Sequence, residues 1–146
     1  MTASDLDLVN RYYRALNDAD WAAYDDLFAA DATLEAPGGY TATGPDAIAA
    51  YDRSFKDSAP DFTITVLVQV ESGGHVLSEN TAYGTQTADL VLPGAVFPAA
   101  EVGRPFGGKY VGTFEVADGR ITSQHIYFDR LLVVEGLGMP RVPVSS

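Results

Sequence analysis

Near its C-terminal end the chain reads ITSQHIYFD, which sets an imidazole, a phenol and a carboxylate at alternate positions: His125, Tyr127 and Asp129. The run from Ile121 to Phe128 is rich in β-branched and aromatic residues and reads as a strand. Side chains alternate across a strand. His125, Tyr127 and Asp129 are therefore expected on one face, with Gln124, Ile126 and Phe128 on the other. Along the strand, at ~3.3 Å per residue, Tyr127 lies roughly 7 Å and His125 roughly 13 Å from Asp129. A carboxyl group in apolar surroundings has a raised pKa, because burial disfavours its charged form. It can then give and take protons near neutral pH. This makes Asp129 the candidate general acid/base, with Tyr127 and His125 as hydrogen-bonding partners. Asp129 also stands where it could cap a short apolar helix expected from about Arg130 to Leu137. The local pattern leaves both readings open.

Other chemistries have little support. The 146 residues include no cysteine, so thiolate nucleophiles, disulfides and Cys-ligated metals are excluded. The two histidines, His75 and His125, lie fifty positions apart and make no metal motif; His75 follows a turn and is expected to be exposed. No phosphate-binding glycine loop and no Gly-x-Ser-x-Gly elbow occurs. Nine Lys and Arg against 20 Asp and Glu give a net charge of −11, a field that repels nucleic acid and anionic membranes. The opening MTASDLDLV lacks the basic and apolar regions of a signal peptide. No apolar run has membrane-spanning length. A cytoplasmic protein is expected, acting by acid–base chemistry or by plain ligand binding.

The elements that must position these groups follow from periodicity. Ser4 and Asp7 resemble a capping box, and Leu6, Val9, Tyr13 and Leu16 recur at helical spacing, so residues 5–16 read as an amphipathic helix. Tyr12 lies beside that stripe. Both tyrosines either pack in the core with hydroxyls near water, or one turns its hydroxyl into a pocket. A second helix begins after Asp20, with Trp21, Tyr24, Leu27 and Phe28 on its apolar side, and residues 31–35 read as a short strand. Pro45 opens a third helix, with Ile48, Tyr51 and Phe55 inward and Asp52, Arg53, Lys56 and Asp57 on a solvated face.

From Phe62 the period changes to two. Phe62, Ile64, Val66, Val68 and Val70 are expected on the buried side of one long strand. Residues 76–87 form the next, with Asn80, Ala82, Gly84 and Gln86 on one face; Gly84 suggests a bulge or a close backbone approach. Residues 105–117 carry Tyr110, Gly112 and Phe114 on one face. Asp118-Gly119 signals the tight turn into the last strand. The apolar segment 88–104, broken by Pro93, Gly94 and Pro98, is either a hairpin packed on another subunit or a lid over a pocket. Helices gathered before an antiparallel meander imply one α+β domain over residues 1–146.

On these residues the chain resembles the SnoaL-like polyketide cyclases of the NTF2-like superfamily. RYYRALNDADW and LFAADATLEAP are similar to that superfamily's opening, GPDAIAAYDRSF to its third helix, YGTQT to a GTHTG-type strand, and FEVADGRITSQHIYFDRLLVVEGLG to the cyclases' C-terminal signature. The resemblance implies a cone: three N-terminal helices packed in a strongly curved, mainly antiparallel sheet that encloses an apolar pocket. It implies no cofactor or metal, and a homodimer. Asp129 takes the place of the cyclases' acid–base Asp, which moves protons next to a carbonyl during aldol ring closure. The implied partner is a small apolar carbonyl compound, polyketide-like or polycyclic. The expected binding residues are Tyr12, Gln86, Tyr51, Phe55, Tyr110, Phe114 and Asn80.

The sequence also departs from the relatives it resembles. Gln86 stands where the GTHTG pattern has His. Ala36 and Gly112 stand where ketosteroid isomerases carry their two acids, although Tyr12 matches their Arg-Tyr motif. An epoxide hydrolase on the same scaffold would need a second carboxylate facing Asp129, and a non-catalytic binding or assembly module would have a small or filled pocket.

Overall fold

The computed structural model describes residues 4–92, 95–99 and 103–129. The first helix, α1 (Asp5–Asn17), starts with both legs of the capping box in place: Ser4 accepts from the Asp7 amide, and Asp7 accepts from the Ser4 amide. Two acidic residues in its first turn and Arg14 in its last complement the helix dipole. Its buried side is wider than a 3,4 stripe and includes Leu8, Val9, Tyr12, Tyr13, Ala15 and Leu16.

The second expected helix is shorter than its apolar pattern suggests. A 3-10 turn at Trp21–Ala23 leads into a single helical turn, α2 (Tyr24–Leu27). The chain then becomes strand at β1 (Phe28–Ala36), followed by β2 (Tyr40–Thr43) and α3 (Pro45–Ser58). Phe28 is thus a strand residue. Four long or medium strands, β3 (Thr63–Ser72), β4 (His75–Gln86), β7 (Arg104–Ala117) and β8 (Arg120–Phe128), complete the main sheet. Its order is β2-β1-β8-β7-β4-β3, antiparallel except where β1 meets β8. Asp118 and Gly119, both at positive φ, make the β7–β8 turn that the sequence signals. Within residues 88–104, β5 (Leu90–Leu92) pairs with β6 (Ala95–Phe97) as a separate two-stranded ribbon.

One side of the sheet holds the core. Leu8, Val9, Leu16, Phe28, Leu34, Ile48, Phe114 and Ile121 are buried between it and the helices. The other side is open. Strand β3 shows why the expected inward row fails beyond Val66: its pairing with β4 shifts register between Val66 and Val68. One extra residue in a strand reverses the facing of everything after it. Val68 and Val70 therefore point outward and are exposed, while Gln69 turns in and bonds Asn10 and Ser78. Gly84 marks a close approach, as its place in the pattern suggests. A Cβ there would lie 2.9 Å from Ala59 Cβ and 3.2 Å from Phe62 Cα. The end of α3 thus seats directly on β4, and the Thr87 and Ala88 amides donate to the Ser58 carbonyl.

Candidate active site

Between α1, α3 and the inner face of β3, β4, β7 and β8 lies a cavity lined almost wholly by apolar groups. Its volume is about 80 Å³, enough for several waters at roughly 10–15 Å³ each. An aromatic wall runs along one side. Tyr40 stacks on Tyr51 at 4.9 Å and 17°, Tyr51 meets Phe55 edge-on at 5.4 Å, and Phe55 stacks on Phe62 at 5.3 Å. Phe62 stacks in turn on Phe106 at 6.2 Å. Such offset pairs fix ring planes beyond what area burial alone does. Tyr51, Phe55, Phe62 and Phe106 all line the cavity. Exposed Lys109 and Asp129 stand at its rim, and buried Tyr12 and Asp52 at its floor.

Asp52 overturns the expectation of a solvated charged face. It is only 4% exposed. Its Oδ2 accepts from the Tyr12 hydroxyl at 2.9 Å and from the Tyr24 hydroxyl at 2.7 Å. Gln124 Nε2 donates to the Tyr12 oxygen at 3.1 Å, which commits the Tyr12 proton to Asp52. No cation answers the carboxylate in these contacts. Burial pushes the Asp52 carboxyl up to about 7, and the two phenol bonds only partly oppose that rise. Burial and the Asp52 charge push both Tyr12 and Tyr24 above the ordinary phenol value, so both remain donors. The sequence carried the signal: Asp52 lies four residues after Ile48 and three before Phe55, on the apolar stripe of α3. Of the other charges expected on that face, Arg53 and Asp57 are exposed and Lys56 is partly covered. Arg53 pairs with Asp57 at 3.6 Å on the surface, and half-buried Lys56 donates to the Asn17 carbonyl.

The expected site residues divide. Tyr12, Tyr51, Phe55, Tyr110 and Asp129 line the cavity. Asn80 and Phe114 lie behind it. Asn80 donates to the Tyr13 hydroxyl at 2.9 Å and accepts from Ser78 at 2.7 Å, and Phe114 packs edge-on against Tyr12 and Tyr13. Both tyrosine hydroxyls of α1 are thus bonded inside the protein rather than near water. Gln86 is fully buried beyond the cavity, where its Nε2 donates to the Phe97 carbonyl at 3.3 Å. Its Oε1, like that of Gln124, meets no partner among the described residues. Gly112 is tightly packed: a Cβ there would sit 3.1 Å from the Tyr13 hydroxyl and 3.2 Å from the Phe114 ring, so a larger side chain would have to displace them.

His125 and Tyr127 fall on the opposite side of the sheet from the cavity. Gln124, Ile126 and Phe128 are the inward row of β8, and Ile126 and Phe128 line the cavity. His125 Nδ1 lies 3.4 Å from a Glu35 oxygen and 3.5 Å from the Tyr127 hydroxyl, on an outer groove shared with Val70, His75 and Leu77. The parity expected for Asp129 fails because β8 ends at Phe128. The next residue leaves the pleat, and exposed Asp129 lines both the rim of the inner cavity and an outer depression with Glu79, Val111 and Tyr127. The helix expected after Arg130 lies outside the described residues, and with it the capping alternative for Asp129. Among the described residues no three His, Asp or Glu side chains cluster as metal ligands, and no helix is long and apolar enough to cross a membrane.

Comparison with known proteins places this architecture. The crystal structure of IdmH, a candidate polyketide cyclase from Streptomyces antibioticus, superposes with a TM-score of 0.76 at 25% identity, over 94% of this chain and 100% of that one. A candidate SnoaL-like polyketide cyclase from Jannaschia sp. CCS1 shares the fold at TM-score 0.79 and 16% identity, over 97% and 99% of the two chains. An LEH-like epoxide hydrolase from M. tuberculosis shares it at TM-score 0.66 and 24% identity, over 89% and 86%. No curated protein matches the chain by sequence. The α+β cone of helices in a curved sheet is the NTF2-like fold. Residues 9–124, well over half of the chain, match the SnoaL-like domain, and the protein belongs to that family.

Proposed function

We propose that this protein is a cofactor-independent acid–base enzyme that moves protons at the carbon beside a carbonyl in a small apolar compound, as in isomerisation or aldol ring closure. The observation that carries this reading is an aromatic-walled cavity with a carboxyl group at its rim and another at its floor. In such a site a flat hydrocarbon body fills the wall, and few polar groups remain to compete for its one carbonyl. Asp129 is the group assigned to take the proton from carbon. Tyr12 lines the floor beside the place assigned to the carbonyl, with its own proton held by Asp52. Similarity to IdmH supports a polyketide-like substrate. We assign no role in this chemistry to His125 and Tyr127, which stand on the outer face.

The test is exchange of the α-protons of 2-tetralone, a compact enolisable ketone, in D2O, followed by proton NMR. The wild-type protein is expected to accelerate exchange. Asp129→Asn should lower the rate by roughly 100-fold or more, the usual contribution of a general base, with an unchanged circular dichroism spectrum. Full exchange in that variant would remove Asp129 from the mechanism.

A second reading is water addition to an epoxide. It requires two carboxyl groups on one cavity, and Asp52, expected from the sequence on a solvated face, supplies the second. Diol formation from styrene oxide, with no acceleration of ketone exchange, would favour it. We also propose a homodimer, supported by the exposed apolar residues Val68, Val70, Leu77 and Tyr127 on the outer sheet face.

A further inference from the structure

We propose that Asp52 is a second catalytic residue, the acid that protonates the substrate's carbonyl oxygen from the floor of the cavity, with Tyr12 and Tyr24 holding the carboxylate this leaves behind. The inference rests on the enzyme reading above and adds a residue that reading does not need.

The geometry assigns the atoms. Both phenols donate to the same oxygen, Oδ2. Gln124 occupies the Tyr12 oxygen as a donor, so the Tyr12 proton stays on the Asp52 side. When Asp52 is neutral, its own proton therefore belongs on Oδ1, the oxygen these phenols leave open. Asp52 lines the same cavity as Asp129. In the step, Asp129 takes the α-proton and the C–H electron pair becomes the enol double bond. The carbonyl π pair then moves onto oxygen, which receives the proton of Asp52 Oδ1. Asp52 is left as a carboxylate with two phenol hydrogen bonds. Return of that proton, and of one from Asp129 to carbon, closes the cycle with no other reactant.

Among the described residues, the groups coupled electrostatically to Asp52 from the elements around it are phenols: Tyr12 and Tyr13 of α1, Tyr24 of α2, Tyr40 of β2 and Tyr110 of β7, with the Asp129 carboxyl at the cavity's exposed rim. The cavity's cation, Lys109, is an exposed rim residue 3.8 Å from Glu79. A core made only for packing has no use for a carboxyl group whose ionised form burial opposes. A floor acid that must be neutral before the step and charged after it uses both features.

Two measurements test this. The first is infrared titration of the unliganded protein. A protonated-carboxyl C=O band should disappear as pH rises through about 7 and be absent in Asp52→Asn. The second is the pH profile of 2-tetralone exchange. The wild-type rate should fall above that same pH. Asp52→Asn should lose roughly 100-fold in rate and lose this limb. Tyr24→Phe is the decisive variant, because Tyr24 touches Asp52 but is not among the cavity's lining residues. Loss of one donor to the carboxylate should move both the band and the rate limb to higher pH, an effect that a purely structural role would not produce. Exchange with its limb intact in Asp52→Asn, or a limb unmoved in Tyr24→Phe, overturns the assignment and leaves the enzyme reading standing. No exchange by the wild-type protein at any pH overturns the enzyme reading itself.

Discussion

The role proposed for Asp52 ties function to stability through one buried group. Its carboxyl is near 3.8 in the unfolded chain and about 7 in the folded one. The folded state therefore binds this proton more tightly. The contribution is fully present below the unfolded value, is lost as pH rises from about 4 to about 7, and is flat above that. At ~1.36 kcal/mol per pKa unit, raising pH from 5 to 8 should cost the wild-type protein about 2–3 kcal/mol from this residue. Asp52→Asn cannot ionise and should lack that loss. Urea unfolding of both proteins at pH 5 and pH 8 measures it. An equal pH dependence in the two would show that the carboxyl is not held neutral in the fold. The same residue explains the tyrosines. Tyr12 and Tyr24 are not merely apolar bodies with hydroxyls near water; each hydroxyl has a fixed acceptor inside the core.

At the scale of elements, the shape of the cavity depends on how closely α3 sits on the sheet. The helix brings Tyr51, Asp52 and Phe55 to the cavity, and its C-terminal end rests on Gly84 of β4. The atoms nearest a new Cβ at Gly84 are Ala59 Cβ and the Phe62 backbone, neither of which can swing away. Gly84→Ala should therefore destabilise the protein by about 1–3 kcal/mol, the usual cost of overpacking. Thermal unfolding monitored by circular dichroism checks this. Relief by shifting α3 outward would also disturb the aromatic wall, so retained stability with lost 2-tetralone exchange is the companion outcome to look for. The bulge in β3 acts in the other direction. By turning Val68 and Val70 outward it moves apolar surface from the core to the outer face.

At the scale of the molecule, the curved sheet has two unlike faces. The inner face and helices make the cavity. The outer face exposes Val68, Val70, Leu77 and Tyr127, and Val70 pairs across strands with Leu77. Contiguous exposed apolar surface is characteristic of an interaction site. If two copies meet there, Val70→Lys should shift the protein toward monomer in sedimentation velocity while 2-tetralone exchange per chain persists. A net charge of −11 on each copy opposes association. Added salt, which screens that repulsion, should therefore strengthen the wild-type dimer. A monomer at every salt concentration would leave the outer face without this partner.

Local pattern was enough for much of the architecture. The Ser4 capping box, Pro45 at the start of α3, the Asp118-Gly119 turn and the period-two strands each depend on neighbours a few residues away, and each is found in place. The family resemblance was legible in motifs along the whole chain, and the family match spans residues 9–124, short of Asp129. Parity and partnership were decided elsewhere. The β3 bulge arises from pairing with β4, so no pattern within β3 fixes where Val68 points. His125 and Asp129 part company because β8 ends between them and the sheet curls, which alternation alone does not record. Asp52 reads as one charge among five on α3 until Tyr12, 40 residues earlier, and Tyr24, 28 residues earlier, close over it. A carboxyl group's chemistry is set by what surrounds it in space, and that surrounding is assembled only when distant segments pack.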